Sequence, residues 1–468
     1  MNAFLTSALL SVLLLPITAN AVYVSDSGFG EALIYPYYTV RSTEGNAFNT
    51  YVSIANGDTA AKALRVRFRE GRNGREVAGF NLFLGPRAIW AGAIVPSGAG
   101  ARLVSPDPAC LSPALSDAGS GGAPFLEFTA AAFSGANADT FGQTVDRVRE
   151  GYVEVLEMGA LSGALPACAD LRAERVPAWL APRGYLYGTT TLINVNSGLA
   201  FTADAEALAN LATAAYYRPP SDPYPDFDAA EIGNVASFER NDKLYRIAMP
   251  TGLGAVEAAM VRAWIDNEVV LDAATLSATD WVLTMPTRRF YRAGRVSPWF
   301  ADSDAYNAQL RDQPDVVRLS GQYTSRGMGA ALITTSAPWA VTVFGFRPPH
   351  YDPLCNPFNG CWPAEVPTGA LGSLNGSGIP TSTDGGGAAH LQFPFNPDRL
   401  IFAFTTQLAD GAVGTEPIRL KGLPVVGFMA RTFRNGTLQC GAVTCQGNYG
   451  SSAAHRFKRV VDPTSADP

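Results

Sequence analysis

Runs of alternating apolar and polar residues recur along the chain, and tight-turn signals separate them. In "KALRVRFREGRNGREV" the apolar residues Leu64, Val66 and Phe68 alternate with three arginines, which is the period of a strand with one buried face. The pair Asn73-Gly74 then marks a tight turn. Successive short strands of this kind are typical of an antiparallel sandwich. We therefore predict a mainly β protein with two antiparallel β-sandwich domains, Ig-like or related, long Gly/Pro-rich loops and few short helices.

Composition supports this prediction and excludes one class of function. The 46 glycines and 33 prolines among 468 residues indicate many turns, and a hydrophobic content of 47% supplies material for cores. A net charge of −6 argues against a nucleic-acid-binding protein, because such proteins carry a basic face.

Four segments are expected along the chain. Residues 1–21 have a short apolar run, a proline and a small-x-small site, the pattern of a cleavable signal peptide. A first sandwich domain is predicted over 22–215, a Pro/Asp-rich linker over 216–240 and a second β-rich domain over 241–468. Within the last segment, "AVEAAMVRAWI" has helical spacing. No apolar run reaches the roughly 18 residues of a transmembrane helix.

The even number of cysteines in a chain with an export signal predicts disulfides. Their spacing does not match that of common structural zinc sites. The predicted pairs are Cys110 with Cys168, Cys355 with Cys361, and Cys440 with Cys445.

Catalytic motifs are not apparent. The sequence lacks the Gly-x-Ser-x-Gly pattern of α/β hydrolases. His350, two residues before Asp352, is interpreted as a loop histidine rather than a base, since a base needs a positioned partner. Glu154 and Glu157 could serve a glycosidase, but their spacing places them on opposite faces of a strand, and solvated or edge positions are expected.

Two charged segments have alternative interpretations. Oxygen ligands for calcium could come from the acidic run Asp222, Asp226, Asp228 and Glu231, although its spacing differs from an EF-hand loop and a plain acidic linker is the alternative. The arginines of "RVRFREGRNGR" could bind an acidic polymer. We favour a solvated strand face in which charges protect a sheet edge.

The segment "EALIYPYYTV" is unusually apolar and aromatic for its position near the expected mature terminus. It could be the first strand of its own sandwich, confined to an edge or a bulge by its proline. Alternatively it could be donated head-to-tail to a neighbouring subunit, forming a homopolymer. The strand residues proposed for assembly are Leu33, Ile34, Tyr35, Tyr37 and Tyr38.

Several blocks resemble a group of exported, uncharacterised β-rich cell-surface proteins of Gram-negative bacteria. The blocks are "GEALIYPYYTV", "ALRVRFREGRNGREVAGFNLFL", "GYVEVLEMG" and "ATDWVLTMPTRRFY". The resemblance implies export and a β-rich fold, and it supplies no catalytic residue.

Together these features predict a secreted structural or adhesive protein, at the cell surface, in the extracellular matrix or in the periplasm, rather than an enzyme. One alternative is a secreted carbohydrate-active hydrolase whose carboxylates meet only in the fold. Another is a surface-glycan-binding module that uses Trp299, Trp339 or Trp362 for stacking. No cofactor is expected apart from the calcium considered above.

Overall fold

The structure is a computed structural model. The structure describes residues 21–43, 46–176, 178–240, 243–271, 277–291, 299, 316–322, 341–342, 377–378, 385–392, 401–408 and 413–463. The expected signal peptide therefore lies outside the described residues except for Ala21.

The first half of the chain forms sixteen of the described strands, one short α-helix and three 3-10 helices, Ala131–Phe133, Gly135–Asn137 and Val145–Arg149. In chain order the strands and the α-helix are β1 (Tyr23–Val24), β2 (Ala32–Thr39), β3 (Ser42–Thr43), β4 (Asn46–Ala47), β5 (Asn49–Asn56), β6 (Ala61–Glu70), β7 (Glu76–Leu84), β8 (Ile89–Ser97), β9 (Gly100–Val104), β10 (Cys110–Ser112), β11 (Phe125–Glu127), β12 (Glu150–Leu161), α1 (Cys168–Arg172), β13 (Leu186–Tyr187), β14 (Thr189–Asn194), β15 (Leu199–Asp204) and β16 (Glu206–Ala209).

Apart from β3 and β4, which pair only with each other, these strands build an antiparallel two-sheet sandwich. The first sheet has the order β1-β16-β2-β12-β6-β7-β10, and the second has the order β11-β9-β8-β5-β14-β15 with β13 beside β5. Alternate residues of each sheet meet in one core, for example Val66 and Phe68 of the first sheet with Ile54 and Trp90 of the second. The predicted mainly β, antiparallel fold is thus confirmed, because the period of two placed the apolar side chains on one face.

The second half is also β-rich. In chain order its described elements are β17 (Val235–Arg240), β18 (Lys243–Ala248), α2 (Gly252–Met260), β19 (Val261–Arg262), β20 (Trp264–Leu271), β21 (Ala278–Thr284), β22 (Val316–Gln322), β23 (Val341–Thr342), β24 (Ser377–Gly378), β25 (Gly385–Gln392), β26 (Ile401–Leu408), β27 (Val413–Lys421), β28 (Leu423–Pro424), β29 (Val426–Cys440), β30 (Val443–Ala454), β31 (Arg456–Lys458) and β32 (Val460–Pro463). Its sheets include the order β17-β18-β26-β27-β32 and the order β24-β22-β21-β29-β30.

Helix α2 occupies the position where the sequence predicts a helix, but it ends earlier. Thr251 caps it by accepting a hydrogen bond from the Gly254 N–H at 3.1 Å, and the chain turns to extended backbone at Val261. Glu257 is fully buried in the helix, where the Tyr291 hydroxyl donates to its carboxylate at 2.6 Å. Burial raises the pKa of Glu257 to about 8.

The two halves share apolar cores across the first sheet. The face of that sheet turned away from the sandwich brings Ile34 and Leu156 into one cluster with Trp281 and Met429 of the second half. The backbone of Val22 also bonds across the boundary, donating to the Val235 carbonyl at 2.7 Å. The first sheet is therefore a middle layer, covered on both faces. The domain boundaries at 215 and 240 stay predictions.

The described helices include none long and apolar enough to cross a membrane.

Candidate functional site

Two of the three expected disulfides are present in the described residues. Cys110 is bonded to Cys168, joining β10 to α1, and Cys440 is bonded to Cys445 at the tip of the β29–β30 hairpin. We call these the first and the second disulfide. The third predicted pair, Cys355 with Cys361, lies outside the described residues.

The three arginines of β6, here called the arginine row, are buried rather than solvated. The row comprises Arg65, Arg67 and Arg69, none more than 5% exposed. Strand β6 pairs with β12 on one side and β7 on the other, so it is an interior strand. The expectation of a solvated row guarding a sheet edge is therefore wrong. A period of two shows that one face is polar, but it does not show what covers that face.

The cover is residues 219–226, here called the proline segment, which belongs to the predicted linker. Arg65 donates to the carbonyl oxygens of Pro220 at 3.1 Å and Asp222 at 2.7 Å. Arg67 donates to the carbonyls of Pro223 and Pro225. Proline lacks an N–H, so this backbone cannot form an ordinary ladder, and the guanidinium groups satisfy its carbonyls instead. The segment is a packed structural element.

Arg69, at the end of the row, belongs to a buried cluster of two cations and two carboxylates. It binds Glu154 of β12, and its Nη2 lies 2.9 Å from Asp226. Arg289 also contacts both carboxylates, with its Nη2 3.1 Å from Glu154 Oε2. Burial raises the pKa of Glu154, whereas Arg289 and Arg69 lower the pKa of Asp226 against the effect of burial. We call these four residues the charge cluster.

Glu157 lies elsewhere and is also buried. Val153 and Val155 of β12 face the sandwich core. Glu157, two residues after Val155, shares that face, whereas Glu154 lies between the two valines and points to the other face. The two glutamates therefore lie on opposite faces, as predicted. Lys62 Nζ lies 2.7 Å from Glu157 Oε1, and the Gly184 N–H donates to Oε2 at 3.0 Å. Burial raises the pKa of Glu157 to about 7. The expectation that the two glutamates are solvated or edge charges is wrong, because each has a buried cation beside it.

Three of the four acidic residues considered for calcium have separate partners among the described contacts. Asp226 belongs to the charge cluster, Arg218 Nη2 lies 3.2 Å from Glu231, and the Asp222 side chain accepts a hydrogen bond from the Tyr224 N–H. Within the described ranges, no group of three or more His, Cys, Asp or Glu side chains is arranged to hold a metal ion. Calcium binding at Asp222, Asp226, Asp228 and Glu231 stays a prediction.

The other residues singled out from the sequence either lie outside the described part of the chain or are buried. His350 and Asp352 lie outside the described residues, as do Trp339 and Trp362. His455 is buried, which lowers its pKa to about 3, and its Nε2 lies 2.9 Å from the Val282 carbonyl oxygen. Trp299 is only 4% exposed. It packs in the shared core, so it is not the exposed stacking platform considered from the sequence.

The apolar N-terminal segment forms β2, an interior strand of the first sheet. It pairs with β12 on one side and β16 on the other, and all its residues are buried. The alternative of a strand paired in its own chain describes this structure. The strand is not at an edge, but its pairing with β12 shifts register at Pro36 and Tyr37, which is the predicted bulge. Exchange between copies would replace these contacts with equivalent ones from a partner, so donation stays a prediction.

The second sheet presents a groove on its outer face that sequence reasoning missed. This outer groove holds about 420 Å³ and runs across β5, β8 and β14. Its lining is Tyr51, Val52, Ser53, Ala91, Gly92, Ala93, Val104, Pro106, Asp107, Thr189 and Thr191. The hydroxyls of Ser53 and Thr189 lie 3.2 Å apart, and Tyr51 is 46% exposed. The surface is therefore mostly uncharged, with hydroxyls, small apolar side chains and an aromatic ring.

Exposed aromatic rings continue this surface beyond the groove. Phe29 packs edge-on against Tyr187 at a centroid distance of 5.2 Å, and Tyr185 lies 6.3 Å from Phe29. All three are more than 40% exposed. We call them the aromatic cluster. The signal in the sequence is "GYLYGTTT", in which Tyr185, Tyr187, Thr189 and Thr191 alternate.

Gly188 allows this strand to approach β5. A Cβ at Gly188 would lie 2.1 Å from the Ser53 carbonyl oxygen and 2.3 Å from the Tyr35 hydroxyl. Tyr35 itself donates to Ser53 O at 2.7 Å. A larger residue would therefore displace either β5 or the buried ring beneath it.

Comparison with known proteins gives no further guide. No protein-family model, no curated protein and no solved structure matches this chain significantly.

Proposed function

We propose that this chain is an exported structural or adhesive protein that works at the cell surface or in the extracellular matrix. The observation that carries the proposal is the outer face of the second sheet. There, exposed aromatic rings and a groove with Asp107 as its charged lining residue lie on the sandwich, while the buried charges of the first sheet pair with one another. Contiguous exposed apolar surface of this kind is typical of interaction sites. The disulfides are compatible with an oxidising, extracytosolic location.

The proposal is tested by comparing bacterial cells that carry the chain with matched cells that lack it. We expect cells with the chain to be retained on coated surfaces under flow and cells without it to be washed off more readily. Equal retention of both strains would contradict an adhesive role. Deleting residues 22–40 tests assembly in the same strain. Because that deletion removes an interior strand, the decisive sample is the purified intact protein: filaments in negative-stain microscopy would support strand donation, and a monomer in size exclusion would contradict it.

A carbohydrate-active hydrolase is the second candidate, and one observation favours it. Glu154 and Asp226 converge on the same two guanidinium groups, and environments that push two carboxyl pKa values apart are used in acid–base catalysis. However, Glu154 is only 1% exposed beneath the proline segment, so a sugar has no access to it in this conformation. Hydrolysis of a polysaccharide by the wild type and not by Asp226→Asn would favour this alternative.

A further inference from the structure

We infer that the outer groove and the aromatic cluster form one binding surface for an uncharged polysaccharide chain. This inference deepens the proposed function, since it assigns a ligand class and a site to the adhesive role.

The first step is that the groove and the cluster lie on the same face of the second sheet. Tyr51 is directly opposite Thr191 in the β5–β14 ladder, and Tyr187 is opposite Ala55. Directly opposed residues of antiparallel strands point to the same side. Since Tyr51 and Ala55 are four residues apart on one strand, they also share that side. Tyr51 and Tyr187 therefore stand about 13 Å apart along the strands, four steps of ~3.3 Å.

The second step concerns what lies between the two tyrosines. The floor consists of the hydroxyl side chains Ser53, Thr189 and Thr191 and the small side chains of Ala91 and Ala93. An elongated polyol offers hydroxyls for such a floor and apolar ring faces for aromatic side chains. Aromatic rings with exposed faces provide rigid contact area at little cost in conformational entropy.

The third step is charge. Among the described residues that line the groove, Asp107 is the charged one. Its carboxylate accepts hydrogen bonds from the Ala109 N–H at 2.8 Å and the Ala91 N–H at 3.4 Å. The lining offers no described cation for an acidic polymer. An uncharged chain therefore matches the groove better than an acidic one.

Backbone strain gives independent support. Tyr185 has a φ of +64°, a conformation that is uncommon for a residue other than glycine. Its ring is nevertheless 54% exposed. A strained backbone that holds an aromatic ring in solvent suggests that the ring has a role outside the fold.

The test uses the full exported chain and insoluble polysaccharides. Microcrystalline cellulose, chitin beads and cross-linked amylose are the uncharged probes, and calcium alginate beads are the acidic one. Variants are Tyr51→Ala, Tyr187→Ala and the double variant. Tyr224→Ala is the matched control, because Tyr224 is 48% exposed and lies on the proline segment, away from the second sheet.

We expect at least one uncharged polysaccharide to retain the wild type and the control equally. Tyr51→Ala and Tyr187→Ala should each bind about two- to tenfold more weakly than the wild type. This range is the free energy of one aromatic contact converted to a ratio of affinities. Unchanged binding of the double variant, retention by alginate alone, or binding to none of the uncharged probes would overturn the inference.

Two further measurements separate this inference from the general proposal. If sedimentation shows dimers of the wild type that are lost in the double variant, this face binds a second copy of the chain, and the inference is overturned. If cells carrying the double variant still adhere under flow, the adhesive role stands and the groove assignment fails. If cells with the wild-type chain never adhere, the proposed function fails as well.

Discussion

Replacing Arg69 by methionine tests the charge cluster, because methionine keeps much of the apolar stem and removes the cation. In the folded chain two guanidinium groups balance two carboxylates, and Arg69 contacts both carboxylates. Its side chain is 7% exposed. Without it, Arg289 would be the remaining ion-pair partner of Glu154 and Asp226, with Arg67 acting on Asp226 at longer range, so the two buried carboxylates would be undercompensated. Removing one partner of a buried ion pair costs about 3 to 5 kcal/mol of unfolding free energy.

Urea unfolding followed by tryptophan fluorescence measures this loss, since Trp90 and Trp281 are buried reporters in the two halves. The matched control is Arg102→Met, because Arg102 is 40% exposed and lies 3.7 Å from Glu127. A surface pair of that kind contributes about 0 to 1 kcal/mol. Adding Glu154→Gln to Arg69→Met restores the charge balance, and we expect it to recover part of the loss. Equal midpoint shifts for Arg69→Met and Arg102→Met would refute the assignment of a buried, coupled cluster.

Four further outcomes follow from the structure. Glu257 is protonated in the folded chain between its ordinary pKa of 4.5 and its raised pKa of about 8. Its stabilising contribution, present below pH 4.5, is therefore lost as the pH rises through 8. Between pH 4.5 and pH 8, the unfolding free energy of the wild type, measured by urea titration, should fall by on the order of 4 to 5 kcal/mol more than that of Glu257→Gln. Parallel profiles of unfolding free energy against pH would contradict this. Gly188→Ala should destabilise by about 1 to 3 kcal/mol in the same assay, whereas Gly85→Ala, with no atom within 4 Å of the added Cβ, should be nearly neutral; similar effects would count against the close approach of β5. Serine replacement of the first disulfide, which spans 58 residues, should cost about 4 kcal/mol, compared with about 2 for the second, which spans 5; the reverse order in thermal scans would contradict the loop-closure argument. Calcium titration should leave the melting temperature unchanged, because arginines already engage Asp226, and a saturable rise would instead support the predicted calcium site.

The sequence was sufficient to predict a chain built mainly of strands and to predict the two described disulfides. In β6 the alternation of side chains identified the core face correctly, because that alternation is a local property of extended backbone. The cysteine pairs followed from their even number and their grouping along the chain.

The sequence was not sufficient to predict which residues cover the polar faces of the strands. Glu154 meets Arg69 and Arg289 only because three distant segments pack together, and strand periodicity carries no information about that packing. The sequence did contain one signal of this packing. Closely spaced prolines at 219–225 leave carbonyl oxygens without neighbouring N–H groups, and three arginines facing one side of β6 are suitable donors for them.

The candidate site was predictable only in part. The alternation of Tyr187, Thr189 and Thr191 is visible in the sequence, but the outer groove also needs Tyr51 and Ala91 from strands β5 and β8. Their adjacency depends on strand order, which is set by the whole sandwich. The alternative of an exposed stacking platform at Trp299 was wrong, because a large aromatic residue fits a core as well as a surface.

Protease treatment of intact cells tests the proposed location outside the cell most directly. Proteinase K, which cleaves with little sequence preference, is added to the medium, and mass spectrometry of the released peptides reports which segments face outward. We expect peptides from the exposed loop at 117–121 to be released from intact cells. Release only after the cells are lysed would contradict a working position on the cell surface.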